Sequence, residues 1–86
     1  MPTISIFYGI KIRMFFDEHN PPHFHAEYAE FHAIILIKEP LVQEGFLPSK
    51  QLRLVIAWAE IHKKELLENW TNAQSTKGLK RISPLR

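Results

Sequence analysis

The sequence predicts an α+β fold, an antiparallel β-meander of about four strands covered by one long C-terminal helix. Three observations lead there. Over residues 3–38 β-branched and aromatic residues recur with the alternation of half-buried strands. From residue 48 to residue 76 the apolar spacing changes to that of a helix. The connections between the early apolar runs are too short for parallel crossovers, so neighbouring strands must run antiparallel.

The first strand is expected from Ile4 to Phe7, ending at Tyr8-Gly9, where glycine permits a bend or bulge. A second follows from Ile10 to Phe16, with Ile10, Ile12, Met14 and Phe16 alternating with Lys11, Arg13 and Phe15. Asp17-Glu18-His19-Asn20-Pro21-Pro22 then interrupts the sheet, because two prolines lack backbone donors and hold the chain turned or extended. The sheet resumes over His23–Tyr28, turns near Ala29-Glu30 and continues from Phe31 to Lys38. A loop with Pro40, Gly45 and Pro48 leads to the helix. Pro48 or Ser49 suits its first turn and Gly78 its C-terminal cap.

On that helix Leu52, Val55, Ile56, Ala59, Leu66, Leu67, Trp70 and Ala73 form one apolar face that covers the sheet. Leu54, Trp58 and Ile61 fall on roughly the opposite side, where a lone helix has nothing to bury them. They are a candidate surface for a small protein partner or a second copy, unless the segment from Leu79 to Leu85 folds back over them.

Bulk composition narrows the function classes. A chain of 86 residues fits a single domain, residues 1–86, and its 45% hydrophobic and 23% charged content is that of a globular protein. There is no cysteine, so no disulfide or thiolate ligand is available, and a metal site must use His, Asp or Glu. The start reads as no signal peptide and the longest apolar run, Ala33 to Ile37, is too short to span a bilayer, which gives a cytoplasmic location and no membrane as the expectation. A charge of +2 is too mild to diagnose nucleic-acid binding, and the excess sits in a basic tail, residues 77–86. There Lys77, Lys80 and Arg81 either contact nucleic acid or are simply solvated.

The chemistry concentrates in Asp17-Glu18-His19-Asn20-Pro21-Pro22-His23-Phe24-His25-Ala26-Glu27, where three of the five histidines lie within seven residues. Strand alternation points His23, His25 and Glu27 to one face, and the Pro-Pro turn can return His19 beside them. His62, on the flank of the helix, is placed to close the site from above. One reading is a metal site with His19, His23, His25 and Glu27 as ligands, a donor set suited to a divalent ion such as Zn, Ni or Fe. The His-x-His pair is that of a cupin barrel, but the chain is too short for one; a histidine triad fails because Glu27 takes the third place. A second reading is metal-free acid–base catalysis, with His23 and His25 moving protons during phosphodiester cleavage and Arg13 steadying the phosphate. A third is structural: the histidines cap turns and pair with Asp17, Glu18 and Glu27. His32, between Phe31 and Ala33, is read as structural.

The runs Pro2–Ile10 and Ile12-Arg13-Met14, then His19-Asn20-Pro21-Pro22-His23-Phe24-His25-Ala26, resemble a bacterial family, domain of unknown function 4160. The resemblance extends through Leu47-Pro48, Leu52–Val55, Trp58-Ala59 and Leu66–Trp70 to the ending Lys80–Leu85. It implies one half of a small two-gene module of the suspected toxin–antitoxin kind, the toxin rather than its antitoxin-like partner. It points to His19, His23, His25 and Arg13 as the working residues. Ile6 stands where family members commonly have Arg, and residues 31–46 depart most from the family pattern. The leading expectation is therefore a toxin–antitoxin-type protein acting on nucleic acid through its histidines. The rivals are a metal-binding protein or metal-dependent enzyme, and a non-catalytic regulatory protein.

Overall fold

The computed structural model describes residues 3–75 and 77–86. Its sheet contains β1 (Thr3–Phe7), β2 (Ile10–Arg13), β3 (His23–Tyr28), β4 (Phe31–Leu36) and β5 (Val42–Phe46). They lie in chain order and every neighbouring pair is antiparallel, so the meander is as expected.

It has one strand more than expected. β5 falls in what reads as a loop, because Gln43, Glu44 and Gly45 break the apolar alternation, and it is an edge strand with four of its five residues exposed. Gly45 is required there: its φ is +89°, and a Cβ would stand 2.2 Å from the His32 carbonyl oxygen. The first turn needs positive φ at both Tyr8 (50°) and Gly9 (77°), the geometry of a two-residue hairpin that matches strand twist.

The single long helix is a second correction. Helix α1 (Ser49–Ile61) and helix α2 (Lys63–Ala73) are separated at His62, whose ψ of 23° leaves the helical range. From Glu60 to Glu65 no side chain is buried, so packing does not hold the axis straight there. Pro48 stands at the N-cap as the sequence suggests, whereas α2 stops at Ala73 and Gly78 does not cap it.

The core lies between the helices and one face of the sheet. Ile10, Ile12, Phe24, Ala26, Ala33 and Ile35 are fully buried and meet Val55, Trp58, Ala59 and Leu66. Trp58 is its largest member, with its ring 5.3 Å from Phe7 and 5.8 Å from Phe24, the latter edge to face.

Of the two expectations for the Leu54, Trp58 and Ile61 stripe, an open partner surface or cover by the segment from Leu79 to Leu85, the burial fits the second for most of it. Trp58 is fully buried, Leu54 is half-buried against the core, and only Ile61 is exposed, at 66%. Trp58 faces the sheet rather than away from it, and the C-terminal segment closes over its outer edge. Trp58 Nε1 donates to the Ser83 carbonyl at 2.8 Å, and the Ile82 amide donates to the Ile4 carbonyl on β1 at 2.8 Å. Asn69, buried on α2, holds Lys80 from both sides, donating to its carbonyl and accepting from its amide. Ile82 is buried and Leu79 and Leu85 pack on the core. No described helix is long and apolar enough to cross a membrane.

Candidate metal centre

Alternation along β3 sends Phe24 and Ala26 into the core, leaving His23, His25 and Glu27 for the face away from it. Register fixes their neighbours. His25 stands between Arg13 on β2 and Ile34 on β4, and Glu27 between Lys11 and His32.

What buries the two histidines is the chain between β2 and β3. Asp17 adopts a φ of 57° and turns it, and its amide donates to the Ala73 carbonyl at the end of α2. Gln74 Nε2 donates to the Glu18 carbonyl at 3.1 Å. Thus anchored, Glu18 reaches back over β3. Its Oε1 lies 3.1 Å from His23 Nε2 and 2.8 Å from His25 Nε2, and the three atoms all fall within 4.8 Å of one another.

Each imidazole is also gripped at its other nitrogen. His23 Nδ1 donates to the Pro21 carbonyl at 2.8 Å, and His25 Nδ1 is 3.0 Å from His32 Nε2. Phe15 meets the His25 ring edge to face at 4.5 Å and Trp70 lies 5.1 Å from the His23 ring. The histidines are 7% and 8% exposed.

A proton inventory follows from these partners. A proline carbonyl can only accept, so His23 Nδ1 must carry hydrogen. Its Nε2 then has two options: a second hydrogen donated to Glu18, or a lone pair facing the same Glu18 oxygen that His25 Nε2 faces, with room for a cation between them only if the group opens. The first makes an imidazolium–carboxylate pair and the second a ligand set.

The residues singled out by sequence divide. His23 and His25 come together, but His19 is exposed and outside the group, and Glu27 faces Arg13 Nε at 3.7 Å. Glu18 stands where Glu27 was expected. Arg13 is next to His25 on the same face. His62 bonds to Glu65 at 2.5 Å and packs on Trp58, and is not part of the Glu18–His23–His25 group. Lys77, Lys80 and Arg81 are exposed, although their segment is tied down by backbone bonds. Sequence reasoning missed Glu18 as a site residue and His32 as its outer support. For His32 the signal was the tight turn at Ala29-Glu30, which puts it across from Glu27 and diagonal to His25.

Residues 9–71 match the family described as Domain of unknown function (DUF4160). The chain belongs to that family. The matched span includes Arg13, Glu18, His23, His25 and His32, and runs from the first hairpin turn into α2. Searches of the curated proteins and of the solved structures give no match.

Proposed function

We propose that this DUF4160 protein binds one divalent metal ion through Glu18 Oε1, His23 Nε2 and His25 Nε2. The observation that supports this reading is the engagement of both distal imidazole nitrogens, which aims the two Nε2 atoms at one carboxylate oxygen. Metal-ligating histidines are oriented in this way, by a carbonyl or another acceptor on the far side of the ring. Two imidazoles and a carboxylate suit Zn, Ni or Fe. Around a tetrahedral ion with bonds of about 2.1 Å, ligand atoms lie about 3.4 Å apart. The 2.8 and 3.1 Å from Glu18 would open by a few tenths of an ångström, and the two Nε2 atoms, within 4.8 Å of each other, would settle to the same spacing by rotation of the imidazoles. Three protein ligands leave a fourth position for water or substrate, the pattern of a working rather than a purely structural centre.

The test is metal content of tag-free protein by mass spectrometry, with a zinc titration followed by thermal melting. Near-stoichiometric metal and a raised Tm, both abolished in His25→Ala, are the expected result. Metal-free protein with an unchanged Tm would refute it.

The same two distances support a second reading, since 2.8 and 3.1 Å are also ordinary charge-assisted hydrogen-bond lengths. In it Glu18 accepts from both histidines, and His23 and His25 act as acid and base on nucleic acid, as expected of the toxin in a two-gene module. Growth arrest on expression, relieved by His23→Ala in a protein that holds no metal, would select it.

A further inference from the structure

On the sheet face away from the helices, a cation stands beside the proposed centre with its hydrogen-bonding capacity largely unspent. Arg13 is the β2 partner of His25, a pairing that sets side chains about 5 Å apart at their Cβ atoms. Its Nε is buried and has no hydrogen-bond partner among the described residues. Among the described residues the carboxylate paired with it is Glu27, 3.7 Å away, beyond hydrogen-bond length, and a third exposed. A guanidinium has five N–H donors in a fixed fork, so this ion pair holds Arg13 in place without saturating it.

The charge on this face is unbalanced once a divalent ion is present. Lys11 lies one row along from Arg13, opposite Glu27. A divalent ion, Arg13 and Lys11, set against Glu18 and Glu27, leave about two positive charges. Glu44 is on the same face but two strands beyond His25, at about 10 Å, and exposed, where solvent screens it.

We infer that the centre takes a dianionic phosphoryl group, a phosphate monoester or the terminal phosphate of a larger molecule, with one oxygen on the metal and the others on the Arg13 fork. The inference rests on the metal reading above. A carboxylate would neutralise only half of the excess charge, whereas a phosphate dianion matches it, and its tetrahedral oxygens fit an ion and a bidentate guanidinium together.

Cobalt(II)-loaded protein, titrated with inorganic phosphate and followed by the visible cobalt absorption, tests it. Saturable phosphate binding that perturbs the cobalt band is expected. Arg13→Gln should keep the unperturbed cobalt spectrum and bind phosphate about ten- to a hundredfold more weakly, Arg13→Lys should recover part of the loss, and Glu27→Gln, by releasing Arg13, should bind a few-fold more tightly. Cobalt binding with equal phosphate affinity in wild type and Arg13→Gln would overturn the anion site and leave the metal centre standing. Protein that takes no cobalt but binds phosphate in an Arg13-dependent way would overturn the metal centre and the shared coordination while keeping the Arg13 subsite. Neither cobalt nor phosphate binding would overturn both.

Discussion

The two faces of β3 are built on opposite principles. Phe24 and Ala26 are buried by area, against Trp58 and the neighbouring strands, and need only shape and volume. One residue away in either direction, His23 and His25 are almost as buried, yet every ring nitrogen is engaged by a specific partner. The apolar face therefore tolerates exchange of one hydrocarbon for another, whereas the histidine face depends on the identity of each atom. A stable protein would need only the first. The second is the face on which the proposed metal and anion sites rest.

Substitutions can separate the faces. The largest expected effect is on the helix side: Trp58→Ala should cost about 3–5 kcal/mol by opening a cavity between Phe7 and Phe24, and it also removes the bond to Ser83. Urea melts should show the protein mostly unfolded or the midpoint sharply lowered. Glu18→Ala should cost about 1–3 kcal/mol by stripping two buried imidazoles of a partner, and should lower metal affinity by about a hundredfold or more. If stability falls but zinc still binds equally well, the histidine face is structural and the contrast between the faces collapses.

Gly45→Ala links the two faces, because the new methyl group would press on the His32 carbonyl and force a positive φ on alanine. A loss of about 1–3 kcal/mol is expected, with exchange of β5 amides speeding up before those of β3. His32→Ala removes only the outer support of His25, from an exposed position. Its Tm should hardly move while zinc affinity drops about ten- to a hundredfold; an unchanged affinity would mean that His25 is aligned by Phe15 and β3 alone. The smallest effect belongs to Ile61→Ser, which should stay within about 0.5 kcal/mol of wild type. Loss of a partner in that variant, with an unchanged melt, would locate a docking surface that the burial of Trp58 has reduced to its rim.

The legible parts of the molecule were those with a clean period. The hairpins around Tyr8-Gly9 and Ala29-Glu30 and the His23–Tyr28 strand could be read because alternation and turn chemistry agree there. β5 could not, since an exposed edge strand needs no apolar alternation and Gly45 mimics a loop signal. The break at His62 was invisible because the apolar spacing runs on across it. At the site, period two correctly paired His23 with His25 but also proposed Glu27, which the sheet spends on Arg13. Glu18 belongs to no period: it arrives through one left-handed residue and two bonds to the end of α2, contacts more than fifty residues away in sequence. Trp58 is misplaced by helical spacing because the face that α1 turns to the sheet runs through Val55, Trp58 and Ala59, and its Nε1 finds Ser83 twenty-five residues on.

The bond from the Ile82 amide to the Ile4 carbonyl brings the beginning and the end of the described chain side by side. Such proximity makes the order of elements along the gene separable from their order in space. A circular permutant that joins the two ends through a short flexible linker and opens at the exposed Lys38-Glu39 turn should therefore assemble the same sheet, helices and Glu18–His23–His25 group. In it the segment that covers Trp58 would no longer be a tail but a loop.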